Sequence, residues 1–118
     1  MAYRVERSAD TDRDLGLIFD FLVEAARSFG EPLEEALDRA EARILVIEEG
    51  MLRLGSAPHQ GRLLPDLGEG IRAVTKDRAI FYFSVDDDED RLRVLAVFFG
   101  GQDHQARMLL RLMRGDQE

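Results

Sequence analysis

Five basic residues, Arg62, Arg72, Lys76, Arg78 and Arg93, sit on or beside runs that read as β-strands, with Tyr82 and His104 in the same stretch of chain. Arginine and lysine gathered on one sheet face hold phosphate, and a tyrosine or histidine beside them can move a proton. The set is therefore the best case here for chemistry on RNA. The plainer reading is of charges scattered over solvent faces and paired with the many carboxylates. The balance favours it, since the 118 residues carry a net charge of −8. Non-specific binding to nucleic acid needs the opposite surface. The charge is uneven, however. The first sixty residues hold 7 basic against 13 acidic side chains, and the remainder 9 against 11, with five of those acids in the single run Asp86–Asp90.

Other chemistries are poorly served. There is no cysteine, so a disulfide framework and a thiolate metal site are both out of reach, and the only histidines, His59 and His104, lack a second His at metal spacing, which argues against zinc. His104 follows the Gly100-Gly101 break and could act as a general acid or base, although a surface histidine at a helix start is the more ordinary reading. Asp86-Asp87-Asp88-Glu89-Asp90 lacks the alternating ligands and central glycine of a calcium loop and reads as a solvated hairpin tip. Ser8, Ser28, Ser56 and Ser84 lack a nucleophile-elbow setting. The glycines near 68–70 and 100–101 make no phosphate loop. No cofactor or metal is expected.

The elements that must position these residues follow from spacing. Tyr3–Arg7 alternates as a short half-buried strand. Ser8, Asp10 and Thr11 offer N-cap oxygens, and Leu15, Ile18, Phe19, Leu22, Ala26 and Phe29 then recur at helical spacing. Gly30 is placed to end that helix and Pro32 to begin the next, which forces an antiparallel hairpin. Leu33, Leu37, Ala40, Ile44, Ile47, Met51 and Leu54 form an apolar seam about 33 Å long, with Gly50 as a weak point.

Residues 55–70 read as a long irregular connection whose Leu63, Leu64 and Leu67 are pinned to the core. Ile71–Lys76, Ile80–Val85 and Leu92–Phe99 read as three strands of a meander joined by tight turns. The middle one is apolar on both faces. In the last, strict alternation puts Leu92, Val94, Ala96 and Phe98 on one side. Asp103 can cap a final short helix. The expectation is one α+β domain over 1–118 in two layers. Its order is β-α-α-β-β-β-α, an N-terminal strand and an antiparallel helix hairpin packed on an antiparallel β-sheet. The start lacks a secretory signal core and no run is long enough to span a bilayer, so a cytoplasmic chain is expected, without membrane contact.

Several stretches resemble the RelE/ParE superfamily of bacterial toxins, more closely its ParE (plasmid-stabilisation) branch. They are the opening YRVERSADTDRDL, the early helix IFDFLVEAA, the loop Pro58-His59-Gln60-Gly61-Arg62 before Leu67-Gly68, the strand start Ile71-Arg72, and IFYFSVDDDEDRLRVLAVFFGGQD. The resemblance spans about residues 3 to 104. It implies the toxin of a type II toxin–antitoxin module, silenced by a cognate antitoxin whose tail wraps the hairpin and sheet, with contacts at Leu15, Phe19, Leu22, Arg72 and Arg93. For the ParE branch it implies a non-enzymatic inhibitor of growth that binds DNA gyrase. For the RelE branch it implies a ribosome-dependent mRNA endonuclease, with Arg62, Arg72, Arg78 and His104 as working residues. A third implication is an inactive member that only binds a partner. The family's His-Gly-Arg-Arg-Asp-like end reads here Phe99-Gly100-Gly101-Gln102-Asp103, a departure that weakens the nuclease branch most. Whether the chain also forms a homodimer is left open by the residues.

Overall fold

The computed structural model describes residues 2–100 and 104–114, apart from the side chains at 104–106 and 109. The elements are β1 (Arg4–Arg7), α1 (Ala9–Ser28), α2 (Leu33–Arg53), β2 (Arg62–Leu63), β3 (Ile71–Lys76), β4 (Ala79–Asp86), β5 (Arg91–Phe99) and α3 (His104–Met113). The expected order is present. The two-residue β2 is an addition to it, inside what reads as irregular chain.

Helix α1 starts where its side chains can answer the backbone. Ser8 is the N-cap and its hydroxyl accepts the Thr11 N–H at 3.2 Å. The helix stops at Gly30, whose φ of +90° suits glycine. Gly30 N–H bonds to Arg27 O and Glu31 N–H to Ala26 O, a complete Schellman ending. Helix α2 then runs back along α1 and continues past Gly50, which is buried under the Phe81 ring.

The sheet order is β1-β5-β4-β3-β2. β1 lies parallel to β5, and every other pairing is antiparallel. Hairpin β3–β4 closes through Asp77 and Arg78, both at positive φ, the two-residue turn whose twist matches the strands.

The central strand β4 is covered on both sides, as its composition demands. Phe81 and Phe83 pack with Leu15, Ile18, Ile47 and Met51 of the hairpin. Ile80 and Tyr82 pack with Phe98 and with Met108 of α3, joined by Leu64 and Leu67 of the long connection. Leu63, also expected there, points to solvent instead. Each fully buried aromatic in these clusters contributes about 1.5–3 kcal/mol of burial free energy.

Strand β5 does not alternate strictly. Phe83 pairs with Val94 but Tyr82 with Ala96, so Leu95 is an extra residue, a β-bulge. The bulge switches the parity. Leu92, Val94, Val97 and Phe99 face the hairpin, while Ala96 and Phe98 face α3. Strict alternation through Leu92–Phe99 fails here because one inserted residue moves every later side chain to the other face.

Candidate partner-docking cleft

The sheet separates the basic residues rather than gathering them. Directly paired residues share a face. Arg72 pairs with Phe83 and so lies on the hairpin side, whereas Arg62 pairs with Ala73 and Arg93 with Ser84, on the α3 side. Arg62 on β2 and Arg93 on β5 stand three strands apart, about 14 Å at the usual spacing. Arg78 lies in the β3–β4 turn, at the end of the sheet opposite Arg72's neighbours in the β4–β5 turn. Tyr82 is fully buried. The His104 side chain and residues Gly101, Gln102 and Asp103 lie outside the described residues.

Arg72 has a structural task at the rim. It donates to the carbonyl of His59 at 2.8 Å. The His59 ring meets the Asp87 carboxylate at 2.8 Å, and the Tyr3 hydroxyl donates to the same Asp87 oxygen at 2.7 Å. The acidic turn is therefore tied to the N-terminal strand and to the 57–61 loop, and is less free than its charge suggests. The hydrogen bond to Asp87, then desolvation and the nearby carboxylates, push the Tyr3 phenol up to about 12. The Tyr3 bond, then His59, holds the Asp87 carboxyl below its ordinary value.

The other end of β5 is more open. β1 pairs only with Arg91–Val94, so beyond the bulge β5 has a strand neighbour on one side only. Polar side chains take over part of the vacated edge. Ser8 Oγ reaches Leu95 O at 3.2 Å and Thr11 Oγ1 donates to Val94 O at 3.1 Å. The buried Asp14 carboxylate accepts the Val97 N–H at 3.1 Å. Arg111 of α3 clamps both Asp14 oxygens, at 2.8 and 2.9 Å, and also reaches Leu95 O.

Past that clamp lies a cleft of about 380 Å³ between α1 and the end of β5, lined by Leu17, Phe21, Val97, Phe99, Arg78 and Arg107 among others. Leu17 is 62% and Phe21 55% exposed, unusual for large apolar side chains one helical turn apart. Phe21 sits 6.4 Å from Phe99, ring to ring. The guanidinium groups of Arg43 and Arg78 each stand 5.5 Å from the Phe99 ring centre. The result is an apolar floor with basic edges, on a chain that is acidic as a whole. It suits an amphipathic segment carrying carboxylates.

Of the contact residues expected on the hairpin, Leu15 is in the core at 6% exposure, and Phe19 and Leu22 are half-buried. Leu17 and Phe21 were missed, and the signal that could have found them is an apolar pair four residues apart and off the core stripe. Arg107 and the Asp14–Arg111 clamp had no comparable signal, because they depend on where α3 crosses the sheet. Among the described residues no group of side chains could hold a metal ion, and no helix is long and apolar enough to cross a membrane.

The chain matches no protein-family model and no curated protein. Its fold matches solved structures. The ParDE toxin–antitoxin system of P. aeruginosa superposes with a TM-score of 0.64 at 18% identity, over 84% of this chain and 97% of that one. The RelBE2 toxin–antitoxin complex of Mycobacterium tuberculosis gives 0.58 at 16%, over 84% and 99%. A mutant of the E. coli toxin RelE in its free state gives 0.58 at 8%, over 96% and 99%. The strand, hairpin, sheet and terminal helix described above are thus a fold shared with these solved ParDE, RelBE2 and RelE structures.

Proposed function

We propose that the chain is the toxin of a type II toxin–antitoxin module. It acts in the ParE manner, by binding a target protein rather than by catalysis, with DNA gyrase as that target. A cognate antitoxin silences it by laying an amphipathic, carboxylate-bearing tail in the α1/β5 cleft. The observation that carries this reading is the exposed pair Leu17 and Phe21 beside Phe99, edged by Arg78 and Arg107, on a fold shared with toxins solved in toxin–antitoxin complexes. A tail that continues around the molecule also reaches Arg72 and Arg93, on opposite faces of the sheet. The separation of Arg62, Arg72 and Arg78 counts against a nuclease built from them.

The test is induced expression in a bacterial host, alone and with the product of the adjacent gene. Growth arrest, rescue by the neighbour and loss of supercoiling by purified gyrase are expected. Cleavage of mRNA in translating ribosomes with supercoiling untouched would overturn the ParE-like reading. Absence of arrest would reduce the chain to a partner-binding protein.

A further inference from the structure

We infer that the groove between β1 and α2 is a second docking site, for an extended protein segment in which lysine or arginine alternates with leucine-sized apolar residues. The inference rests on this groove alone and not on the toxin reading.

The strand supplies half of the site. β1 is an edge strand. Arg4 N–H bonds to Asp90 O and Ser8 N–H to Val94 O, so even-numbered residues turn their backbone toward β5. The odd-numbered ones face outward. Of these, Tyr3 N–H is taken by Gly55 O at 2.8 Å, from the 3-10 turn at Leu54–Ser56. That turn is fixed against the strand, since a Cβ on Gly55 would stand 2.4 Å from Tyr3 O. Val5 and Arg7 remain, and their backbone groups open onto the groove. A free strand edge beside an apolar trough is the geometry of strand addition.

The helix supplies the other half. Leu45 and Leu52 of α2 are 56% and 66% exposed, with Met51 buried between them and the strand. Seven residues of helix span about 10 Å, the length of three residues of extended chain. The groove measures about 470 Å³ and its edges carry Glu6, Glu48 and Glu49. The one basic residue lining it, Arg7, is already held between Asp12 and Glu48, each at 2.9 Å. Glu6 is shared with Arg4 at 3.4 Å and Arg91 at 3.9 Å. The lining, three carboxylates against Arg7, therefore makes a mildly acidic rim with Glu49 foremost around an apolar floor, the reverse of the arginine-edged cleft on α1. A segment that fits one is repelled by the other, which separates their partners by charge.

The experiment uses the isotope-labelled full chain and two eight-residue probe peptides, one alternating lysine with leucine and one alternating glutamate with leucine. Amide shifts are followed by NMR. The lysine peptide is expected to shift Val5, Arg7 and the amides of 45–52. Glu49→Lys and Leu52→Ser should each leave the spectrum folded, because both side chains are exposed, and together weaken binding about tenfold. The glutamate peptide should leave these amides unmoved. Shifts spread over the acidic surface without focus on the groove would overturn the inference. So would equal effects of the two peptides, unchanged affinity in the double variant, or no shift at all.

Discussion

Arg111 grips the Asp14 carboxylate through two nitrogens, at 2.8 and 2.9 Å, and so ties α3 to α1 across the edge of β5 that β1 leaves bare. Asp14 is almost fully buried and its carboxylate also serves the Val97 N–H. Asp14→Ala takes the acceptor from Val97 and the carboxylate clamp from Arg111, which keeps Leu95 O and Asp10, and should cost about 3 kcal/mol. Arg111→Met should cost a similar amount, since it leaves the buried Asp14 carboxylate with the Val97 N–H but without its guanidinium partner. Urea denaturation of the two single variants and the double variant measures the coupling. Additive losses would show that the ion pair does not join the two helices energetically.

The Tyr3–Asp87–His59 tether predicts pH dependence in two arms. Tyr3 titrates at about 12 when folded against 10 otherwise, so its contribution is complete below pH 10 and is lost as pH rises toward 12. Asp87 titrates below its usual 3.8, so its contribution is complete above that value and is lost as pH falls below it. The difference between the phenolate absorbance titrations of wild type and Tyr3→Phe isolates Tyr3. A midpoint near 10 would contradict the tether.

Gly50 lies inside α2, where glycine costs about 1 kcal/mol against alanine. A methyl group there would meet only the Phe81 ring, at 4.0 Å, an ordinary contact. Gly50→Ala should raise the melting temperature by about 4 °C. A fall would mean that α2 and the sheet approach more closely than this.

The strands, the hairpin and the glycine stop at Gly30 were legible because each follows from local chemistry. The α2 seam was legible only in part. Leu33 and Leu37 continue its spacing, yet both are exposed, and Ala36 is buried in their place beside the expected Ala40. A strict heptad drifts by about 20° per repeat on a straight helix, and small residues let α1 approach closely. The bulge at Leu95 carries no sequence mark and reverses the face of everything after it. β2 was hidden because two residues are too few for a pattern. In the candidate cleft the Leu17–Phe21 pair was passed over for Leu15, Phe19 and Leu22, because the spacing that marks a core stripe does not say which apolar residues stay outside it. The bare β5 edge was not legible, because it depends on how far β1 runs alongside.

Arg78 breaks a local rule, with φ at +66° where glycine is preferred. Arg78→Gly relieves about 1–2 kcal/mol of backbone strain and forfeits about 0.5–1 kcal/mol of contact with Phe99. Stability should therefore change little. Affinity for an acidic antitoxin tail should fall and its salt dependence should flatten. Calorimetric titration at two ionic strengths reads both effects. Unchanged binding would remove Arg78 from the cleft's function.

The central claim, that the α1/β5 cleft receives the antitoxin, is tested most directly by the affinity of the adjacent gene's product for wild type and for Phe21→Asp. Phe21 is exposed, so the variant should melt like wild type. Binding should weaken about a hundredfold, as expected when a charge enters the apolar centre of an interface. Equal affinity of the folded variant would place the antitoxin elsewhere and contradict the account.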